Sequence, residues 1–198
     1  MRVNKIMSFY GQKVLPAIRK IEDVEKLMKS NYKYIIILEV HVSRLRPIFD
    51  MAKAHHKELI LHLDLIQGLK TDEYATEFVC QEFKPFGLIS TKGNVIVKAR
   101  QKGVKSIQRL FLIDSVSLEK SISLIERTDP DYIEVLPGIV PKVTQDIQRR
   151  TNKEIFAGGF IDTVEEVEQA YSAGAISITT SNKNLWKHFE PEEEQITK

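Results

Sequence analysis

The chain has 198 residues, 42% of them hydrophobic and 28% charged, with a formal net charge of +2 at pH 7. This suits one domain that buries its own core, and the near-balanced charge neither requires nor forbids a nucleic-acid partner. Cys80 is the single cysteine, which excludes an intramolecular disulfide framework and a thiolate metal cluster and fits a reducing cytoplasm. The longest apolar run, 34–40, is too short to span a bilayer and contains Glu39, and the first residues lack the apolar core of a signal peptide, so no membrane association is expected.

Residues 1–6 read as a loose N-terminal extension and 190–198 as an acidic flexible tail, leaving 7–189 for one domain. Within it, short apolar runs alternate with segments of helical spacing. A strand over 14–18 precedes a helix over 21–29. Strand 34–41 leads to helix 43–53, strand 58–66 to helix 74–83, and strand 87–91 to helix 94–101. Strand 105–112 leads to helix 116–127 and strand 132–136 to helix 142–150. Strand 154–160 with helix 164–172 and strand 177–180 with helix 184–189 complete the series. Thr163 ahead of Glu165 and Glu166 is helix-start chemistry: the hydroxyl caps the first turn and the acids meet its positive end.

Eight strand–helix pairs in strict alternation predict an α/β fold, a single compact (β/α)8 TIM-type barrel. A doubly wound open sheet is the competing arrangement. The barrel is preferred because polar residues collect at the C-terminal ends of many strands: Arg19, His41, Asp64, Lys92, Arg109, Gly138, Gly158 and Ser181. In a barrel these share one mouth.

The stretch Phe156-Ala157-Gly158-Gly159-Phe160 poses a sharper question, because paired glycines at a strand end imply an unusual φ or a close approach. In a barrel the loops after the seventh and eighth strands often build a phosphate cup. Gly158 and Gly159 would offer bare N–H groups, with Thr180, Ser181 and Asn182 opposite them at a helix start and Gly138 alongside. The plainer alternative is a tight turn that lets helix pack on strand. Arg19 and Lys92 could add positive charge, and Asp64 and Glu134 could accept from ligand hydroxyls. His41, His62 and Asp64 could be read as metal ligands, but carboxylate-rich metal spacing is missing and no metal is expected. An enzyme could use Asp64, Lys92 and Glu134 for proton transfer, and the loop 68–74 could close over the mouth.

Taken in order, the blocks "LPAIRK" (15–20), "HLDLIQGLKTDEYATEFVCQ" (62–81), "GLISTK" (87–92), "IQRLFLID" (107–114), "DYIEVLPGIVPKV" (131–143), "FAGGFI" (156–161) and "TTSNKNLW" (179–186) resemble the glycerol uptake operon antiterminator regulatory proteins of Gram-positive bacteria. The likeness runs from Met7 to Trp186. It implies a regulator rather than a catalyst: a protein with no cofactor that takes glycerol 3-phosphate as effector, then binds the leader mRNA of glycerol operons and prevents terminator formation. A homodimer is compatible with that role.

The resemblance does not assign RNA contacts. Phosphate charge attracts basic groups, and the chain has three clusters of them on expected outer helices. Lys98, Arg100 and Lys102 form one, and Lys142, Arg149 and Arg150 a second; these two are the favoured RNA candidates. Arg44, Arg46, Lys53 and Lys57 form the third. Charged outer faces are ordinary in a barrel, and neither an RNP-like aromatic motif nor an RGG tract is present. The alternative function is a barrel isomerase, lyase or transferase acting on a small phosphate ester.

Overall fold

Most of the β-runs, such as 14–18, 34–37 and 58–62, are rich in Ile, Leu and Val, as expected of parallel strands covered on both faces. In the computed structural model, which describes residues 9–192, these runs form eight parallel strands closed in sequence order, β1 pairing with β8. The elements are β1 (Val14–Ile18), α1 (Glu22–Met28), β2 (Tyr34–Ile37), α2 (Leu45–Ala54), β3 (Glu58–His62), α3 (Glu73–Glu82), β4 (Gly87–Ser90) and α4 (Gly93–Gln101). They continue with β5 (Lys105–Phe111), α5 (Ser115–Thr128), β6 (Tyr132–Leu136), α6 (Pro141–Thr151), β7 (Glu154–Gly158), α7 (Val164–Ser172), β8 (Ala175–Thr180) and α8 (Lys183–His188). The closed ring excludes the open sheet. Residues 1–6, expected to be a loose extension, and most of the acidic tail lie outside the described residues; Glu190, at its start, accepts from the Asn31 amide at 2.8 Å.

Alternation along each strand divides the apolar residues between two environments. Leu15, Ile36, Ile60, Ile89, Ile107 and Phe156 fill the barrel interior, closed at the N-terminal end by an aromatic cluster around Phe9. Neighbours such as Val14, Ile35, Leu61 and Leu88 pack outward against the helices. Burying one such side chain contributes about 1.5–3 kcal/mol, so this two-sided packing holds the ring closed.

Helix starts follow the expected chemistry where the right residues stand. Thr163 and Glu166 form a reciprocal capping box at α7, Glu166 accepting from the Thr163 amide at 3.0 Å. Asp114 and Ser117 do the same at α5. Several strands end earlier than their apolar runs. β3 stops at His62, and Leu63–Leu65 winds into a 3-10 turn. β2 stops at Ile37 and β7 at Gly158, each shorter than the expected 34–41 and 154–160.

Candidate ligand site at the strand tips

At the C-terminal mouth a cavity of about 360 Å³ opens between the tips of β1, β2, β5, β6, β7 and β8. Of the residues singled out in sequence, Arg19, Arg109, Glu134, Gly159, Thr180, Ser181 and Asn182 line it. Thr179, Phe160 and Asp162 line it as well. Gly138, Gly158, Asp64 and Lys92 do not.

Glu134 forms the floor. It is fully buried, accepts from Arg109 Nε at 2.5 Å on one carboxylate oxygen and from Thr179 Oγ1 at 2.7 Å on the other. A buried carboxylate so engaged is tolerable because its charge is paired and both oxygens are satisfied. Among the described residues no bond from the terminal guanidinium nitrogens of Arg109 to a protein acceptor is formed, so part of its fork remains for a ligand. Arg19, at the rim, is turned toward Glu39.

The two glycines differ in role. A Cβ on Gly158 would lie 2.2 Å from Thr179 Oγ1, so Gly158 is required by the hydroxyl that serves Glu134. Gly159 has φ +78 and would meet nothing closer than Leu136 at 3.5 Å; its requirement is conformational. Gly138 is a packing glycine, since a Cβ there would stand 2.6 Å from the Gly158 nitrogen. Among the described residues the N–H groups of Gly159 and Ser181 donate to no protein acceptor. The Asn182 amide is already spent on Thr180 Oγ1 at 3.0 Å, and the Asn182 side chain donates to the Asp162 carbonyl at 3.2 Å, joining the loops after β7 and β8. The loops after β7 and β8 thus bring the unspent amides of Gly159 and Ser181 to one cavity.

Asp64 is engaged at the tip of β4 and does not line the cavity. One oxygen accepts from Ser90 Oγ, and the other from the Thr91 amide and hydroxyl at 2.8 and 2.7 Å, bracing the tip of β4. The 3-10 turn breaks the strand parity that would have aligned it with His62. Lys92 is exposed beside that tip. His62 is buried, both ring nitrogens lacking a protein partner, and burial together with the Arg109 guanidinium pushes its imidazole down to about 4, leaving it neutral at pH 7. His41 instead accepts from the Ser43 amide at 3.2 Å. Among the described residues no group of three or more His, Cys, Asp or Glu is arranged to hold a metal ion, and no helix is long and apolar enough to cross a membrane. The loop after β3 is tied at its start, the Gln67 amide donating to Val40 O at 2.9 Å, and it does not line the cavity.

The outer basic residues are largely engaged. Arg100 pairs with Asp129 at 2.8 Å, Lys102 with Glu77, Arg149 with Asp146 at 2.6 Å, and Arg150 with Glu119 at 2.7 Å. Lys98 and Lys142 form no ion pair among the described residues. A larger cavity, about 680 Å³, opens between α2 and α3 and is lined by Lys33, Lys53, Lys57, Lys84 and the edges of Phe49 and Phe83. It has no convergent buried polar set comparable to Glu134, Arg109 and Thr179.

Against known proteins, the family model for the glycerol-3-phosphate responsive antiterminator matches residues 14–186. The glycerol uptake operon antiterminator regulatory protein of Listeria monocytogenes str. 4b F2365 is 44% identical and superimposes with a TM-score of 0.87, over 89% of this chain and 95% of that one. A glycerol uptake operon antiterminator-related protein of Thermotoga maritima MSB8 is 26% identical with a TM-score of 0.78, over 89% and 98% of the two chains. Deoxyribose phosphate aldolase of Aeropyrum pernix, 14% identical with a TM-score of 0.67 over 87% and 86%, shares the fold alone. With the match spanning nearly the whole barrel, the chain belongs to the glycerol-3-phosphate responsive antiterminator family.

Proposed function

We propose that this protein is a cytoplasmic sensor of glycerol 3-phosphate that, once loaded, binds the leader mRNA of glycerol-uptake operons and prevents terminator formation. The observation that carries the effector half is the meeting, in one cavity, of the unspent amides of Gly159 and Ser181 with the partly free guanidinium of Arg109. Backbone donors with a cation suit a single phosphoryl group. About 360 Å³ is near the low end of ligand cavities and fits a three-carbon ester. In this reading Arg19 leaves Glu39 for the phosphate, Asp162 accepts from a hydroxyl, and Thr180 and Asn182 hold the two loops in place. Asp64 and Lys92 contribute the shape of the β4 tip and no ligand contact.

A regulator is favoured over an aldolase-like enzyme because among the described residues no lysine lines the cavity to offer an amine for Schiff-base chemistry, and both oxygens of Glu134 are already engaged. Calorimetry with glycerol 3-phosphate against glycerol, and filter binding of the leader transcript with and without effector, test the reading. Effector binding should be saturable and phosphate-dependent. Effector and RNA should tighten each other's binding by the same factor, as linkage requires. Equal RNA affinity in both conditions refutes the sensor, and product formation detected by NMR would return the site to an enzyme.

A further inference from the structure

One buried polar side chain in the barrel has no partner. His62, at the end of β3, is 2% exposed, and among the described residues neither Nδ1 nor Nε2 makes a hydrogen bond. Gln108 leaves only its carbonyl oxygen unpaired and Thr144 only its hydroxyl, so among the described residues no other buried side chain leaves two such atoms. Buried polar groups are paired in all but a few cases, and an imidazole with neither bond made carries a desolvation cost that a leucine would not. A ring placed there calls for a guest that pairs with it.

Strand register brings His62 to the level of the cavity floor. It lies two residues beyond Ile60 on β3, as Arg109 lies two beyond Ile107 on β5 and Glu134 two beyond Tyr132 on β6, so all three face the barrel interior. Ile37 pairs with Leu61, which makes Leu38 the next residue in register with His62. Leu38, Arg109 and Glu134 line the mouth cavity, and so does Ile36, whose partner in the ladder is Ile60. The cavity therefore descends to the depth of His62, although His62 itself does not line it. In the closed ring β3 stands four strands from β7, across the barrel axis from the tip that carries Gly159.

The chemistry of this layer selects the guest. The Arg109 guanidinium and the Glu134 carboxylate balance each other, and His62 is neutral at pH 7, so the layer asks for no further charge. A neutral imidazole offers one N–H donor and one acceptor nitrogen. A hydroxyl both accepts and donates, and so matches the ring. An ionised phosphate only accepts and belongs with the amide donors at the rim.

We propose that His62 reads the glycerol end of the effector: with the phosphate on the amides of Gly159 and Ser181, the three-carbon body crosses the barrel axis and a hydroxyl bonds to the His62 ring. The proposal rests on the effector half of the reading above and adds the ligand's orientation and a residue that determines its specificity. Arg109 admits the hydroxyl. It is anchored to Glu134 through Nε, and turning its terminal nitrogens toward the phosphate opens the layer beside His62. A site built to bond a hydroxyl rejects an analogue that lacks it, because the polar group of the site is then left unpaired. His62 thus gives the pocket a preference for polyol phosphates over alkyl phosphates.

The full chain is titrated by calorimetry with glycerol 3-phosphate and with propyl phosphate, which keeps the carbon chain and the phosphate but has no hydroxyl, as wild type, His62→Leu and His62→Gln. Wild type should prefer glycerol 3-phosphate by about tenfold or more, the scale of a buried hydroxyl paired rather than left unpaired. His62→Leu should narrow that preference by about tenfold, losing affinity for glycerol 3-phosphate and keeping it for propyl phosphate. His62→Gln, which retains donor and acceptor groups, should keep part of the preference. Circular dichroism establishes that each variant is folded, and the wild-type comparison stands whatever the variants do. Equal wild-type affinity for the two ligands overturns the proposal. So does a preference undiminished in His62→Leu, a preference lost as fully in His62→Gln as in His62→Leu, or an equal loss for both ligands, which would make the ring a support of the barrel and nothing more. Wild-type protein that binds neither ligand defeats the effector reading itself, and this proposal with it.

Discussion

Replacing Arg109 with methionine keeps much of the side chain's length and removes its charge, leaving Glu134 fully buried with Thr179 as its one remaining partner. Breaking a buried pair from one side costs about 3–5 kcal/mol. The variant should therefore lose about 3–5 kcal/mol at pH 7, or roughly 6–20 °C in Tm for a chain of this size. Urea unfolding and thermal melts followed by circular dichroism measure both quantities. A loss below about 1 kcal/mol, the scale of an exposed pair, would show that the Arg109–Glu134 pair is not the keystone of the cavity floor.

The two neighbouring glycines should respond differently to alanine. In Gly158→Ala the new methyl meets the Thr179 hydroxyl at 2.2 Å, so overpacking should cost about 1–3 kcal/mol in urea unfolding. Gly159→Ala has room but holds φ +78, so it should lose about 1–2 kcal/mol and bind glycerol 3-phosphate more weakly by calorimetry; unchanged effector affinity would remove Gly159 from the cup. His62 titrates near 4 when folded and near 6.5 when unfolded, so the unfolded chain gains the proton first and stability falls as pH drops from 6.5 to 4. That loss amounts to about 3 kcal/mol, and His62→Leu should flatten the stability profile in this window. Removing the exposed Arg150–Glu119 pair with Arg150→Ala should change stability by under about 1 kcal/mol.

Much of the fold was legible because burial on both faces of a parallel strand leaves a continuous apolar run that composition alone exposes. The starts of α5 and α7 were equally plain, since Asp114 and Thr163 cap by local bonds. Strand ends were harder to read. The apolar run beyond His62 looked like more strand, yet Leu63–Leu65 coils so that Asp64 can brace Ser90 and Thr91, partners far away in sequence.

The cavity was half legible for the same reason. Paired glycines and the Thr180-Ser181-Asn182 tip pointed to it, while the close approach of neighbouring strand atoms to Gly138 and Gly158 was not visible in the sequence. Arg109 shares strand parity with Ile107, a signal that it faces inward; its pairing with Glu134 could not be read from either residue alone. The acids that pair with Arg100 and Arg150 were not visible in the sequence, because helix packing brings them together. By itself the sequence determined the count, order and kind of the elements, since these follow from local spacing and two-sided burial. Which polar groups meet, which are consumed by one another and which stay free for a visitor was decided only by closure of the ring, because those bonds join residues that are distant along the chain.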